Sequence, residues 1–184
     1  KEEDTVKLIK KAKQIGCAGV TIPVPSLGNE RKVVEYFQRL NKLGMDTIVY
    51  NTETASIKTV KGITDLDKIG NIIAVKDSSM NMPLFRKLVD LRKKGKLNLS
   101  ILQGMEHLLY DSKGCDGYLI SLLNLEPRLC SEMFKKQDKK TDKKIKDLFW
   151  EYNLGGEWYV TIKASLRERG IIKSAEEINP FIKP

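Results

Sequence analysis

The chain has 184 residues, of which 41% are apolar and 31% are charged, and its formal net charge is +9. A chain of this length can bury about 70% of its unfolded surface, so it can form one sizeable core. Thirteen glycines and six prolines are too few for a fibrous or low-complexity protein. The apolar share also excludes a disordered chain.

Neither the apolar runs nor the cysteines indicate a membrane or secreted protein. No apolar run approaches the roughly 20 residues of a membrane span, and the lysine-rich opening lacks a signal-peptide core. Cys17, Cys115 and Cys130 are odd in number and lack the CxxC spacing of zinc sites. We therefore expect a cytoplasmic protein without disulfides or a bound metal. Because the first residue is not methionine, we also expect a processed or partial chain.

Amphipathic segments alternate with short apolar, β-branched runs. Apolar residues at helical spacing predict helices over residues 3–15, 29–43, part of 54–69, 82–95, around 108–110, 127–137, 140–153 and 157–169. Asn29 is a suitable N-cap, Pro83 suits a first helical turn, and Gly44 and Gly95 suit helix ends. The β-branched runs predict strands over residues 19–24, 47–51, 72–76, 98–103 and 117–123.

The spacing of these strands predicts a parallel sheet. Their first residues are 28, 25, 26 and 19 residues apart, which leaves room for a crossover helix in each connection. Two α/β architectures fit: a doubly wound open sheet, or part of a (β/α)8 barrel. A whole barrel has eight strands and about 250 residues, so a barrel here would lack three upstream strands. No linker divides the chain, so we expect one domain over residues 1–184.

Lys76 is the strongest candidate for chemistry. It follows the apolar run 72–75 and precedes Asp77, which places it at the carboxyl end of a buried strand, where parallel α/β folds form their sites. Desolvation beside apolar side chains favours a neutral amine, which can form a Schiff base with a ketone. The alternative from this residue alone is a lysine that ends the strand and pairs with Asp77.

Tyr50 ends the preceding predicted strand. If strands pair in chain order, Tyr50 and Lys76 lie at the same rim on strands about 4.8 Å apart. A phenol there could carry a proton to and from an imine. The alternative is an aromatic side chain that covers the core and exposes its hydroxyl.

Five motifs in order resemble the dihydrodipicolinate synthase and N-acetylneuraminate lyase family. They are Tyr50-Asn51, the lysine strand 74–79, Gln103-Gly104, the segment 114–121 with Asn124 and Pro127, and the closing helix around residues 162–170. Members of that family are class I, Schiff-base aldolases and lyases on a (β/α)8 barrel. The resemblance implies that this chain corresponds to strands four to eight and the C-terminal helices.

The resemblance also implies the roles of individual residues. Lys76 would be the Schiff-base lysine, Tyr50 the proton relay, and Gly104 and Ile120 would line the pyruvate pocket. The substrates would be a small 2-keto acid and an aldehyde. No cofactor or metal would be required, since the protonated imine is itself the electron sink. An oligomer of identical chains is expected.

Departures from the family pattern favour one branch of it. The glycine- and threonine-rich loop that holds the substrate carboxylate is absent. The chain reads Pro23-Val24-Pro25 where relatives carry a PYY-type sequence, so a tyrosine that supports the synthases' site is lost. Ala55 stands where the synthases carry the arginine for their second substrate. These differences favour an aldolase of the 2-keto-3-deoxy sugar acid type over dihydrodipicolinate synthase. A non-catalytic, doubly wound binding domain remains the alternative from another class.

The remaining signals have simpler explanations. Lysines between residues 135 and 144 recur every four positions, without the arginines or aromatics that bind bases, so we expect a solvated helix face and no nucleic acid. His107 is the only histidine and has no partner at metal-ligand spacing. Trp150, Tyr152, Trp158 and Tyr159 are expected in the core or at an interface.

Overall fold

The computed structural model of the chain describes residues 1–176, which form two compact units. The first unit comprises Lys1–Met105 and Gly114–Tyr118, and the second comprises Glu106–Lys113 and residues 119–176. No helix within the described residues combines the length and the apolar character needed to cross a bilayer.

The first unit is a parallel sheet with one helix before each of its first four strands. Its helices are α1 (Glu2–Gln14), α2 (Glu30–Asn41), α3 (Val60–Leu66) and α4 (Met82–Lys93). Its strands are β1 (Gly19–Pro23), β2 (Asp46–Asn51), β3 (Ile72–Asp77), β4 (Ser100–Gln103) and β5 (Gly117–Tyr118). They pair in chain order, and every pair is parallel. The α/β prediction and the parallel sheet are confirmed.

Local sequence determines where these helices begin and end. The Asn29 side chain accepts the Arg31 N–H at 2.8 Å and caps α2 as predicted. Pro83 lies in the first turn of α4, where its missing N–H has no helical partner to lose. Gly95 follows α4 with a φ of +66°, a conformation that glycine adopts without strain.

The core of the first unit joins helix stripes to the sheet. The side chains with no exposed surface come from both layers: Phe37, Val49, Ile57, Ile63, Leu66, Val75, Leu88 and Ile101. Burial of each such side chain contributes about 1.5–3 kcal/mol. The strands are thereby fixed, and with them the side chains at their carboxyl ends.

The second unit is helical. It contains three short 3-10 turns (Glu106–Leu108, Tyr110–Ser112 and Ser121–Asn124) and the helices α5 (Pro127–Lys136), α6 (Lys139–Glu151) and α7 (Trp158–Glu168). The Arg169 guanidinium joins three of these segments, donating to the Leu125 carbonyl at 2.6 Å, Glu126 Oε1 at 2.8 Å and the Tyr152 hydroxyl at 3.1 Å.

One expectation about this part of the chain was wrong. The fifth strand, predicted over residues 117–123, ends at Tyr118. The buried Glu106 carboxylate accepts the N–H groups of Ser121 and Leu122 at 2.7 and 3.1 Å, so a 3-10 turn forms there. Trp150 is 73% exposed, so it does not lie in a core, and its expected place at an interface stays a prediction.

The lysine-rich segment forms exposed faces of α5 and α6, as expected. Lys136 pairs with Glu132, and Lys143 pairs with Asp147, each one helical turn apart. Such exposed pairs contribute little to stability. The segment therefore behaves as a solvated surface in this structure.

Candidate active site

Tyr50 and Lys76 come together at the carboxyl end of the sheet. They are direct partners in the β2–β3 register, and both are half-buried. The Lys76 Nζ lies 3.9 Å from the centre of the Tyr50 ring. The ring face attracts the ammonium and holds it close to the phenol.

Gly104 provides the space that Lys76 needs. Lys76 pairs with Leu102 and Asp77 with Gln103 in the β3–β4 register, so Gly104 follows on the same rim, opposite Ser78. A Cβ at position 104 would lie 2.9 Å from Lys76 Cε and would collide with Ser78 Oγ. A side chain here would have to move the ends of the Lys76 and Ser78 side chains, so glycine leaves the room for their present positions.

Ser78 is a site residue to which the sequence analysis gave no role. It lies two positions after Lys76, and alternate residues of an extended segment share a face. Its side chain is 5% exposed, and its hydroxyl has no hydrogen-bond partner. A buried hydroxyl without a partner is costly unless something binds it. The two-residue spacing from Lys76 is the signal that could have identified it.

A polar cavity lies at the same end of the first unit, beyond the carboxyl ends of β1 and β2. Its volume is about 330 Å³, and its lining comes from residues 24–30, 54–56 and 58 together with Val33. Its polar side chains are three hydroxyls, an amide, a carboxylate and an ammonium, from Ser26, Thr54, Ser56, Asn29, Glu30 and Lys58. Ala55 also lines it, so the position compared with the synthases' arginine faces this cavity.

Ile120 belongs to the second unit, where it is buried. It directly precedes the 3-10 turn that Glu106 caps. The structure thus brings Tyr50, Lys76 and Gly104 together within the first unit. The pocket role of Ile120 stays a prediction.

The other nucleophile and ligand candidates are structural. The His107 ring packs 4.9 Å from the Phe149 ring, within the second unit. Burial raises the pKa of the Cys130 thiol to about 12, and the charges of Glu106 and Glu126 add to this effect. Such a thiol is protonated at neutral pH and is a poor nucleophile. In residues 1–176, no group of three or more histidine, cysteine or acidic side chains is arranged to hold a metal ion.

Comparison with known proteins decides the family. The model of the dihydrodipicolinate synthetase family matches residues 2–183. The chain belongs to the dihydrodipicolinate synthetase family. The resemblance stated from its five motifs is therefore confirmed, since the match covers almost the whole chain.

Family relatives are similar in sequence and in fold. An uncharacterised DapA-like lyase from Thermofilum pendens is 29% identical over 72% of this chain. The structure of dihydrodipicolinate synthase from Thermotoga maritima matches the whole chain with a TM-score of 0.81 at 19% identity. N-acetylneuraminate lyase from Fusobacterium nucleatum matches it with a TM-score of 0.78 at 20% identity. These similarities confirm the predicted fold class, part of a (β/α)8 barrel.

The chain spans only part of the length of these relatives. The chain spans 46% of the Thermofilum protein, and its match covers 66% of the Thermotoga structure and 65% of the Fusobacterium structure.

Proposed function

We propose that this chain carries the catalytic lysine of a class I aldolase or lyase that acts on pyruvate or a related 2-keto acid. The observation that supports this most is the pairing of Lys76 with Tyr50 at the rim of the sheet. Membership of a family that includes synthases and lyases supports the reaction class. In this proposal Lys76 is the nucleophile, Tyr50 carries protons, and Gly104 and Ile120 line the pyruvate pocket.

The reaction begins when the Lys76 ammonium gives up a proton to solvent and the neutral amine attacks the keto carbon. The N–C bond forms, the carbonyl oxygen takes a proton through Tyr50, and loss of water leaves a protonated imine. Tyr50 then takes the proton of the C4 hydroxyl, and the C3–C4 bond breaks to release an aldehyde from C4. The electron pair of that bond forms the C2=C3 bond of an enamine, and the C=N electron pair moves to the nitrogen. The enamine then takes a proton at carbon, and hydrolysis returns pyruvate and the free lysine. Proton transfer by a positioned phenol typically contributes about 10²–10⁴ in rate.

The polar cavity favours a hydroxylated aldehyde partner. Ala55 offers no cation at the position of the synthases' arginine, and Lys58 shares the cavity with the Glu30 carboxylate. Ser26, Thr54 and Ser56 offer hydroxyls. The buried Ser78 hydroxyl supplies one more group near Lys76. The substrate proposed is therefore a 2-keto-3-deoxy sugar acid. Release of pyruvate from 2-keto-3-deoxygluconate, measured against condensation with the synthases' second substrate, tests this choice.

Borohydride trapping tests the reaction class. The protein is incubated with pyruvate, reduced and weighed, and the modified residue is located by peptide mass spectrometry. We expect one reduced pyruvate adduct, on Lys76. Lys76→Arg should abolish the adduct, and Lys87→Arg, on the exposed face of α4, should retain it. No adduct in the unmodified chain would overturn the proposal.

The sheet also supports the proposal of a partial barrel that lacks three strands. β1 is an edge strand, since β2 is its only partner among the described strands. Beside it, α1 and β1 line a largely apolar groove of about 840 Å³. Leu8, Ile15 and Leu27 expose 70%, 64% and 39% of their surface there. An uncovered edge beside apolar surface pairs readily with another strand.

Hydrogen exchange tests this edge. The Val24 N–H donates to the Tyr50 carbonyl at 2.9 Å. Because backbone groups alternate in direction, the Ile22 N–H also faces β2 and the Thr21 N–H faces the open edge. We expect fast exchange at Thr21 and slow exchange at Ile22 in this chain. A polypeptide that supplies the three missing strands should slow exchange at Thr21; slow exchange in dilute, monomeric chain would contradict an open edge.

The proposal includes a cytoplasmic assembly of identical chains. Trp150, Trp158 and Tyr159 expose apolar surface on α6 and α7, as aromatic residues at interfaces do before assembly. Sedimentation across a hundredfold range of protein concentration tests this assembly. A monomer throughout that range would contradict it.

A further inference from the structure

Asn51 and Asp77 lie one residue beyond Tyr50 and Lys76 and continue the same register. Asn51 has no exposed surface, and Asp77 is 3% exposed. The Asn51 Nδ2 donates to Asp77 Oδ2 at 3.4 Å. An amide and a carboxylate therefore join β2 to β3 directly beyond the candidate pair.

Asn51 also holds the loop that follows Tyr50. Its Nδ2 donates to the Ile57 carbonyl at 3.3 Å, and its Oδ1 accepts the Ile57 N–H at 3.1 Å. One side chain thus satisfies both backbone groups of a buried residue. The loop over residues 52–57 is closed onto the end of β2.

Asp77 holds the turn that follows Lys76. Its Oδ1 accepts the Ser79 N–H at 2.9 Å and the Ser79 hydroxyl at 2.8 Å. Its carbonyl accepts the Gly104 N–H at 2.8 Å. The carboxylate therefore fixes the turn that contains Ser78, and the backbone ties this turn to Gly104.

We infer that Asn51 and Asp77 are positioning residues that hold Tyr50 against Lys76, an inference that rests on the proposed function. Alternate strand residues face opposite sides of a sheet, so both side chains point away from the face that Tyr50 and Lys76 share. Their effect on the reaction is exerted through the strands. A misplacement of about 1 Å at a reacting group can cost about 10²-fold in rate.

An exchange of amide and carboxylate tests this inference. Asn51→Asp places two buried carboxylates together, and Asp77→Asn sets one amide NH₂ group against another. The double variant Asn51→Asp with Asp77→Asn restores one donor and one acceptor between the strands, and residue 77 keeps an oxygen for Ser79. The Ile57 carbonyl still lacks the donor that Asn51 supplies, so the recovery is partial. Asn41→Asp is the matched control. In the parent, the Asn41 side chain accepts the Asn71 N–H at 2.9 Å, beside the amino end of β3.

The first measurement is the rate of adduct formation with pyruvate. Each single variant should slow the saturating rate by about 10²-fold, with little change in the half-saturating pyruvate concentration. The double variant should recover about tenfold or more over either single variant, the factor expected for one restored buried hydrogen bond. The control should match the parent. A role confined to stability would lower the melting temperature without this recovery of rate.

The second measurement needs no substrate. Trace labelling with acetic anhydride compares the reactivity of Lys76 with that of exposed Lys87 in the same sample. Each single variant should raise the Lys76 to Lys87 ratio severalfold because the amine leaves the Tyr50 ring, and the double variant should restore the ratio.

The two measurements separate the two proposals. One outcome is that the parent forms no adduct while the Lys76 to Lys87 labelling ratio rises in each single variant and returns in the double variant. In that case the proposed function fails and the positioning role holds. If neither the rate nor the ratio recovers in the double variant, the positioning role is overturned.

Discussion

Tyr50 and Lys76 occupy facing positions on β2 and β3, and the lysine nitrogen lies 3.9 Å from the centre of the tyrosine ring. A mutation can therefore separate the contribution of the Tyr50 ring from that of its hydroxyl. The ring holds the cation, whereas the hydroxyl is the proposed proton carrier.

Tyr50→Phe should keep Lys76 in place and slow imine formation. The ring face remains, so the ammonium retains its contact, but the proton carrier is lost and the rate should fall by about 10² or more. Single-turnover trapping with pyruvate measures this rate. Tyr36→Phe is the control. It removes a hydroxyl of α2 that donates to the Thr5 hydroxyl of α1 at 3.2 Å, and it should leave the rate unchanged. An unaltered rate in Tyr50→Phe would remove the tyrosine from the mechanism.

Gly104→Ala should both destabilise the protein and reduce adduct formation. The new methyl group collides with Ser78 and with Lys76 Cε, and overpacking of this kind costs about 1–3 kcal/mol. Urea unfolding measures the stability. Gly70→Ala is the control, because a Cβ there meets nothing within 4 Å, and its effect should stay within about 0.5 kcal/mol. Equal stability of the two variants would contradict the close contact.

Glu30→Ala should loosen the segment between β2 and α3. The Glu30 carboxylate accepts the Lys58 N–H at 2.6 Å and the Thr59 hydroxyl at 2.5 Å. Loss of hydrogen bonds to a charged acceptor should cost about 1.5–3 kcal/mol in the free energy of unfolding.

Glu35→Ala, on the same helix, is the matched control for Glu30→Ala. Glu35 makes an exposed ion pair with Arg31 at 3.3 Å, which is worth about 0.5 kcal/mol or less. Hydrogen exchange should accelerate over residues 58–62 in Glu30→Ala alone. The same exchange pattern in both variants would show that the carboxylate of Glu30 does not hold this segment.

Cys130 should make the protein less stable at high pH. Burial raises the pKa of this thiol from 9.0 to about 12. The folded state therefore holds a proton that the unfolded state releases above pH 9, and stability should fall between about pH 9 and pH 12. The free energy of unfolding should fall by at most about 1.4 kcal/mol per pH unit. Urea unfolding at pH 8, 9, 10 and 11 measures it.

Cys130→Ala should flatten this slope, although the variant itself is less stable at pH 8 because a buried side chain is truncated. Cys17→Ala is the control, since Cys17 is exposed and should leave the slope unchanged. If the free energy of unfolding falls with pH equally in the parent, Cys130→Ala and Cys17→Ala, the Cys130 thiol does not contribute to the pH dependence of unfolding.

The regular elements of the first unit follow from local sequence. Asn29 and Gly95 bound their helices through side-chain capping and a positive φ, both of which depend on a few neighbouring residues. The predicted strands 47–51 and 72–76 agree with β2 and β3 within one residue. The prediction of the fifth strand was wrong beyond Tyr118. The Glu106 carboxylate, 15 residues before Ser121, accepts the backbone N–H groups of Ser121 and Leu122. Local apolar patterning contains no information about such a distant acceptor.

The sequence by itself determined the family, the parallel sheet and the two strand ends that carry Tyr50 and Lys76. The hydrophobic period, the spacing between the predicted strands and the order of the family motifs are all properties of the linear sequence. Only the tertiary structure decided that the lysine lies over the tyrosine ring, that Gly104 leaves room for it, and that the Ser78 hydroxyl is buried without a partner. These relationships join residues from three strands. They depend on register and packing, which form only when the sheet assembles.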